Sequence, residues 1–197
     1  MFTLETSFIV VTWENVEELS LRLGSLLRHS FIPDLIVGVA RGGWIVARLL
    51  SDYLDVSNIA SIRVEFYEKI GEHRSKPIIT QPLSAEAKDL NVLVVDDVAD
   101  SGSSLLEVKK HVQEKGAKIV KTATLHLKPW SKIKPDFYVE VVSGWVIYPW
   151  ELRETIRNLM EKWKKEKLTK DQLIEKLVSI GLKKYVVEKL VEDLRVD

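Results

Sequence analysis

The chain has 197 residues, which is long enough for one domain of about 150 residues and a smaller additional segment. Its 29 basic residues (Lys and Arg) equal its 29 acidic residues, so the formal net charge is zero and no binding of nucleic acid through bulk charge is expected. The absence of cysteine excludes disulfide bonds and thiolate metal sites. An acidic N-terminus and the lack of a long apolar run predict a cytoplasmic protein without a membrane span.

The first part of the sequence predicts strands that alternate with helices. Phe8 to Val11 favour a short edge strand, and Thr12 can cap the helix that apolar spacing predicts after it. Leu35 to Ala40 predict a buried strand, followed directly by Arg41-Gly42-Gly43 and then by a helix over Trp44 to Leu54. Glycines in such a loop let backbone N–H groups approach an anion closely, and Arg41 adds a positively charged guanidinium group that can bind the anion with two N–H donors.

The central part of the sequence continues this alternation. Ile59 to Phe66 alternate apolar and charged residues as a strand does, whereas residues 67–90 show no clear period. Further along the chain, the sequence predicts a strand at Val92 to Val95 and a helix from about Leu105 to Lys115. Two more strands are predicted, at Ile119 to Leu127 and at Phe137 to Val142. The fold class is therefore α/β, with a mostly parallel twisted sheet flanked by helices.

Continuous helical spacing begins after Glu151 and predicts three more helices. Thr169 with Gln172 forms a capping box before the second of them, and Gly181 stands where that helix should end. We therefore expect a sheet domain at residues 1–151 and a three-helix C-terminal appendage at residues 152–197.

Residues 92–104 carry the strongest chemical signal. Asp96 and Asp97 follow a buried strand directly, at the end where open α/β sheets place their ligands. The small residues from Ala99 to Ser104 then lead into a helix, whose N-terminal N–H groups make an anion site. Carboxylates repel phosphate, so the acidic pair suits hydroxyl groups or a hard divalent cation. A phosphate site beside such a pair fits a sugar phosphate.

This segment resembles the phosphoribosyl diphosphate (PRPP) motif of the type I phosphoribosyltransferases, in which an apolar strand precedes two acids, a further Asp, a hydroxylated residue and Gly. The resemblance implies a Mg²⁺-dependent enzyme in which Asp96 and Asp97 hold the ribose hydroxyls or the metal. It also implies that Asp100 is the catalytic residue, which accepts or shares the proton on purine N7. The residues expected to bind PRPP and its 5′-phosphate are Asp96, Asp97, Ala99, Asp100, Ser101, Gly102, Ser103 and Ser104.

The family resemblance places a pyrophosphate site in the loop after the strand that ends at Ala40. There Ala40, Arg41 and Gly42 would grip the pyrophosphate, and a non-proline cis peptide would join Ala40 to Arg41. Residues 67–84 take the position of a mobile lid that excludes water from the reacting centre. Arg74 and Lys76 either reach the pyrophosphate from this lid or are solvated loop charges, and the sequence leaves both interpretations open.

Two later segments, Lys128-Pro129 and Trp145 to Glu151, narrow the resemblance to the 6-oxopurine branch of the family. By position, Lys128 would donate to purine O6, Trp145 would stack on the base, and the backbone of Val146 would meet its pyrimidine edge. Two further tryptophans, Trp130 and Trp150, are interpreted as packing residues. The candidate metal ligands are three carboxylates: Asp96, Asp97 and Glu151.

The implied reaction transfers a 5-phosphoribosyl group from PRPP to guanine, xanthine or hypoxanthine, giving a nucleoside 5′-monophosphate and pyrophosphate in purine salvage. The family also implies a homodimer or homotetramer. Two alternatives stay open: a regulator on the same fold that senses PRPP or a nucleotide, and a phosphoribosyltransferase for another base such as adenine. The three C-terminal helices lie outside the resemblance.

Overall fold

The structure, a computed structural model, describes residues 7–67 and 76–194. Its packing divides the chain into two compact units. Residues Val16–Val142 form the first, which we call the sheet unit, and the segments up to Asn15 and from Ser143 form the second, which we call the helical unit.

The elements follow one another as the sequence predicts, with two additional strands, at Lys76–Gln81 and Trp145–Ile147. In chain order they are β1 Phe8–Val10, α1 Trp13–Arg28, β2 Leu35–Ala40, α2 Gly42–Leu54, β3 Ile59–Tyr67, β4 Lys76–Gln81, β5 Asn91–Ala99, α3 Ser103–Glu114, β6 Ile119–Leu127, β7 Phe137–Val141, β8 Trp145–Ile147, α4 Leu152–Trp163, a 3₁₀ turn Lys164–Glu166, α5 Lys170–Ser179 and α6 Lys184–Leu194. Among these described elements, no helix combines the length and apolar character needed to cross a membrane.

The sheet unit contains a six-stranded sheet in the order β4-β3-β2-β5-β6-β7. All neighbours are parallel except β3 and β4, which are antiparallel. This arrangement confirms the predicted α/β class with a mostly parallel sheet. Strand β4 lies in the stretch without a clear period, so the sequence analysis did not predict it.

Both faces of the sheet are covered because side chains alternate along each strand. On β2, Leu35 and Val37 join the core that includes Leu105 and Val108 of α3. Gly38 faces the other side, where a Cβ would stand only 2.9 Å from the Cα atom of Trp44 in α2. The two helices α2 and α3 therefore pack on opposite faces of the central strands, as in other parallel sheets.

The helical unit is built on a second, two-stranded sheet. Strand β1 pairs in parallel with β8, with Phe8 opposite Trp145 and Val10 opposite Ile147. A core formed by the three helices covers Ile147, and Phe8 and Val10 pack against the same core. The contacts group residues 143–151 and β1 with the helices, whereas the sequence analysis divided the chain after Glu151.

The capping box predicted for the second C-terminal helix is present. Thr169 accepts a hydrogen bond from the backbone of Gln172, and Gln172 accepts one from the backbone N–H of Thr169. Gly181 adopts φ +104°, which permits the helix to end there. These local signals fix where α5 begins and ends.

Replacing Leu177 with Ala tests the core of the helical unit. Leu177 in α5 is fully buried, so the truncation should lower the unit's free energy of unfolding by about 2–5 kcal/mol through lost burial and the resulting cavity. Hydrogen exchange of peptides from α4 to α6 measures this loss. Leu106→Ala in α3 is the matched control, because Leu106 is 55% exposed. An equal effect of both substitutions would contradict this core.

Candidate active site

The site lies where neighbouring parallel strands of the sheet unit end together. Strand β2 pairs with β5 so that Gly38 is opposite Val95, immediately before Asp96. Strand β5 pairs with β6 so that Ala99 is opposite Leu127, immediately before Asp100 and Lys128. This register brings three predicted segments to one edge of the sheet: the loop after β2, the acidic pair in the last part of β5 and the lysine after β6.

The first two of these segments touch through their backbones. Gly43, in the first turn of α2, is so close to β5 that a Cβ would stand 2.5 Å from the carbonyl oxygen of Val95 and 2.7 Å from the Cα atom of Asp96. Contacts under about 3.0 Å are not tolerated by real side chains. Glycine is therefore required here, and the contact holds the start of α2 against the acidic strand end.

The loop between β2 and α2 has the predicted backbone. The peptide bond between Ala40 and Arg41 is cis, although neither residue is proline. Arg41 occupies the N-cap position of α2 and is exposed, and Gly42 begins the helix. The first N–H groups of a helix have no partner within it, so this loop offers donors and a guanidinium group to an anion.

The acidic pair is held by local hydrogen bonds. Asp96 Oδ1 accepts the N–H of Asp97 at 3.0 Å, and Asp97 Oδ1 accepts the N–H of Val98 at 2.8 Å. Burial raises the pKa of Asp96 well above its usual range, and the adjacent charge of Asp97 raises it further. A divalent cation would relieve this repulsion.

These two carboxylates fit a magnesium ion that keeps water and substrate oxygens as its other ligands. In residues 7–67 and 76–194, no group of three or more His, Cys, Asp or Glu side chains could enclose a metal. Among the residues that the structure describes, Asp96 and Asp97 are therefore the candidates for contact with such an ion. The third candidate, Glu151, accepts the N–H of Tyr148 with Oε1 at 3.2 Å in the helical unit.

The loop after β5, which the sequence analysis predicts to bind a phosphate and which we call the cradle, leads into α3. Gly102 adopts φ +74° and is the N-cap residue of α3, which begins at Ser103. The Ser101 hydroxyl lies 3.1 Å from that of Ser103 and accepts the Ser103 N–H at 3.3 Å. Ser103 and Ser104 form the first turn of the helix, where N–H groups and the helix dipole favour a phosphate. Ala99 ends β5 and is buried.

The segment after β6 is fastened onto this loop. The N–H of Lys128 donates to the carbonyl of Ala99 at 3.0 Å, and the N–H of Lys132 donates to that of Ser101 at 3.1 Å. The indole N–H of Trp130 donates to Asp100 Oδ1 at 2.8 Å. The sequence interpretation of Trp130 as a packing residue was therefore wrong: its side chain contacts the predicted catalytic carboxylate and is 57% exposed.

Lys128 has an unusual environment for a lysine. It is only 6% exposed, and its Nζ lies 5.6 Å from the centroid of the Trp130 ring. Burial lowers the pKa of Lys128, whereas the nearby charge of Asp100 acts in the opposite direction. A weakly hydrated ammonium of this kind is a strong donor to a carbonyl oxygen.

The remaining predicted residues belong to other elements or fall outside the described residues. Trp145 and Val146 belong to β8 of the helical unit, where Trp145 is 42% exposed and Val146 is 8% exposed. Trp150 stacks on Tyr148, with ring centroids 4.6 Å apart, consistent with a packing role. Lys76 begins β4 and is exposed, and Arg74 lies outside the described residues.

Comparison with known proteins identifies the family of this chain. The phosphoribosyl transferase domain family matches residues 16–155, and the chain belongs to that family. It is a type I phosphoribosyltransferase, similar to the 6-oxopurine members.

Three relatives illustrate the similarity. A purine phosphoribosyltransferase from Pyrococcus horikoshii, known from its crystal structure, is 40% identical in sequence to this chain. The two structures superpose with a TM-score of 0.67 over 73% of this chain and 93% of that one. A xanthine-guanine-hypoxanthine phosphoribosyltransferase from Helicobacter pylori is 27% identical, with a TM-score of 0.65, covering 78% of this chain and 99% of that one. The xanthine-guanine phosphoribosyltransferase of Gluconobacter oxydans is 31% identical over 147 residues, which are 73% of this chain and 84% of that protein.

Gly102→Ala should weaken binding of a ribose 5-phosphate group. A Cβ at Gly102 would stand 2.1 Å from Ile133 Cγ2 and 2.7 Å from Ser131 Oγ, so the cradle would have to shift. Isothermal titration with PRPP measures the effect, which we expect to be at least about tenfold in Kd, the equivalent of one lost hydrogen bond.

Gly116→Ala is the matched control for that substitution. Gly116 also has a positive φ, +83°, but a Cβ there would meet only Lys88, at 3.4 Å or more. Both variants carry the backbone cost, and only the one in the cradle should lose affinity. Similar losses of affinity in both variants would contradict the assignment of the cradle.

A buried histidine beside the site makes the stability of the fold depend on pH. His126 in β6 is 1% exposed, and its Nε2 lies 3.8 Å from the carboxylate of Glu140. Burial lowers the pKa of His126 from 6.5 to about 4; Glu140 opposes this shift, and Lys128 adds to it. The imidazole is therefore neutral at pH 7, and the contact with Glu140 is not an ion pair there.

The pKa shift of His126 predicts a loss of stability in acid. The unfolded chain takes up a proton on His126 near pH 6.5, and the folded protein does so only near pH 4. The stability contribution is complete above pH 6.5 and declines as the pH falls towards 4, by about 3 kcal/mol in all. The free energy of unfolding of His126→Gln, measured with urea between pH 8 and pH 4, should fall less than that of the unmodified protein, by about 3 kcal/mol. His29→Gln, at an exposed position, should keep the slope of the unmodified protein.

Proposed function

We propose that this protein transfers the 5-phosphoribosyl group of PRPP to a 6-oxopurine, namely guanine, xanthine or hypoxanthine. The products are pyrophosphate and the nucleoside 5′-monophosphate. The observation that carries the proposal is that the loop after β2, the acidic pair, the cradle and the buried Lys128 lie together at one sheet edge. Each of these features corresponds to a different part of the two substrates.

The sugar phosphate is held mainly by the loop after β5. Backbone N–H groups between Asp100 and Ser104 bind the 5′-phosphate at the N-terminus of α3, with the hydroxyls of Ser101, Ser103 and Ser104 as further donors. Asp96 and Asp97 accept hydrogen bonds from the ribose hydroxyls. This fixed orientation supplies much of the rate, because the anomeric carbon is presented to the base in one position.

The pyrophosphate is held on the other side of the anomeric carbon. The N–H groups of Arg41 and Gly42 and the guanidinium of Arg41 bind it, with Ala40 in the same loop. The family resemblance adds two candidates, Lys76 and Arg74, which either contact the pyrophosphate or are solvated loop charges. Asp96 and Asp97 would hold a magnesium ion, which would supply charge neutralisation to the leaving group. Glu151 is a weaker candidate ligand, because its Oε1 already accepts a backbone N–H.

The chemical step is a displacement at the anomeric carbon. A purine nitrogen forms the new bond to C1′ while the bond from C1′ to the pyrophosphate oxygen breaks and its electron pair leaves with pyrophosphate. Asp100 accepts the proton from N7 as the base loses electron density. General base assistance of this kind contributes about 10²–10⁴-fold to the rate.

The family resemblance assigns recognition of the base to three residues. Lys128 donates to the O6 carbonyl, Trp145 stacks on the purine ring, and the backbone of Val146 hydrogen-bonds its pyrimidine edge. An ammonium has three donors and no acceptor, so it matches O6 and opposes the amino group of adenine. The preference for 6-oxopurines follows from this mismatch.

The setting of the enzyme is part of the proposal. We expect it in the cytoplasm, where it would consume activated sugar phosphate in salvage of purines. We also expect a homodimer or homotetramer, supported by exposed apolar side chains on α1, since Leu21 and Leu26 are each 48% exposed. Size-exclusion chromatography with light scattering measures the oligomeric state.

A pyrophosphate-release assay with PRPP, Mg²⁺ and a panel of bases tests the proposed function. Guanine, xanthine or hypoxanthine should support turnover, and adenine should be at least about tenfold poorer in kcat/KM, because its amino group cannot accept a hydrogen bond from the Lys128 ammonium as O6 does. Lys128→Met keeps the side-chain length and removes the donors. It should lower kcat/KM for oxopurines, leave PRPP affinity unchanged, and narrow the difference from adenine.

Lys134→Met is the control for that substitution. Lys134 is exposed, with its Nζ 5.4 Å from the centroid of the Tyr138 ring, so the loss of a charge alone should not change base selectivity. Equal use of adenine and guanine by the intact protein would contradict the assignment of Lys128. Release of pyrophosphate with uracil or orotate, and not with purines, would overturn the proposed function.

A further inference from the structure

Trp130 is an exposed aromatic residue with a specific polar contact. More than half of its surface is accessible, at 57%, so burial does not account for a large aromatic side chain at this position. Its indole N–H nevertheless donates to Asp100 Oδ1 at 2.8 Å, a good length for a charge-assisted bond. The two residues are thirty positions apart in sequence, so local chain geometry does not produce the contact.

The backbone around Trp130 is arranged to aim it at Asp100. Lys128 N–H is bound to the carbonyl of Ala99, and Lys132 N–H to that of Ser101, so the two backbone bonds flank Asp100 on both sides. Ser131 N–H donates to the Lys128 carbonyl at 3.0 Å and closes a turn with Trp130 near its tip. These three backbone hydrogen bonds therefore fix the segment that positions the indole. We call this segment, residues 128–132, the clasp.

The same ring also contacts the second proposed base-binding group. Lys128 Nζ lies 5.6 Å from the ring centroid, within the range of a cation–π interaction. One side chain thus joins the carboxylate at Asp100 and the ammonium at Lys128. An Asp side chain has two free torsions, and a donor on Oδ1 restricts both.

We infer that Trp130 is a positioning residue, which holds the Asp100 carboxylate through Oδ1 so that Oδ2 is directed to the purine proton. The inference rests on the proposed function, in which Asp100 accepts the proton from N7. Through its ring face, Trp130 also sets the place of the Lys128 ammonium. The residue therefore aligns the two groups that act on the N7 and O6 edge of a purine.

Trp130→Phe separates these two contacts, because it keeps an aromatic face and removes the N–H. We expect kcat to fall by about tenfold to one-hundredfold, the cost of losing a hydrogen bond to a charged group. The KM and Kd for PRPP should change by less than about twofold, since the phosphate is held elsewhere. Trp13→Phe is the matched control, because Trp13 is 56% exposed and belongs to the helical unit.

A double-mutant cycle distinguishes positioning from a general structural effect. Asp100→Asn alone should remove most turnover, and adding Trp130→Phe to it should cost less than about twofold more, because the two residues act as a unit. Independent, multiplying losses would overturn the inference. Equal losses in kcat and in PRPP affinity would also overturn it and would indicate that the loop itself is damaged.

A spectroscopic measurement keeps the inference separate from the proposed function. In a ¹H–¹⁵N spectrum, the Trp130 indole resonance is identified by its disappearance in Trp130→Phe. It should lie downfield in the intact protein and move upfield in Asp100→Asn, where the acceptor has lost its charge. If the intact protein releases no pyrophosphate with any purine, the proposed function fails, and this resonance still reports on the contact. A resonance that does not move would overturn the inference.

Discussion

The close approach of Gly43 to the end of β5 is the constraint on which the site depends. At that point α2 begins against the backbone of Val95 and Asp96, and no side chain has room between them. A larger residue would displace α2, and with it the loop that contains Ala40 and Arg41. Because β2 and β5 are neighbouring parallel strands, this contact keeps a cationic loop and an acidic pair at one sheet edge. Opposite charges so placed suit a ligand that carries both phosphate and hydroxyl groups.

A second constraint couples the groups proposed to act on the base. The clasp from Lys128 to Lys132 is bonded to both sides of Asp100, so the carboxylate and the ammonium belong to one rigid assembly. Burial of an ammonium is costly, and at Lys128 the charge of Asp100 and the face of the Trp130 ring offset part of that cost. The site is thus prepared before a base arrives, and less ordering is left for binding to supply.

The sequence predicted those parts of the molecule whose signals are local. Strand β2 and residues 92–95 of β5 are unbroken apolar runs, and the residues that follow them directly include the glycines and acids that the family resemblance identified. The resemblance also predicted the Ala40–Arg41 cis bond. Strand β4 was missed because it is a half-exposed edge strand that contains Pro77 and pairs only with β3. The hydrogen bond from Trp130 to Asp100 leaves no sequence pattern, since an aromatic residue at a strand end looks the same whether it packs or donates. The pairing of β1 with β8 also leaves no local pattern in the sequence, because all residues of the sheet unit lie between the two strands along the chain.

That pairing of β1 with β8 has a consequence for the order in which the protein can form during translation. Residues Val16–Val142 are contiguous, so the sheet unit has all its strands once Val142 has been synthesised. Strand β1 is made first but has no partner until Trp145–Ile147 follow, and the helices that cover Ile147 come later still. An unpaired strand edge is open to wrong pairing with other nascent chains. Strand β1 has only three residues, so the strand edge that stays unpaired until β8 is synthesised is short.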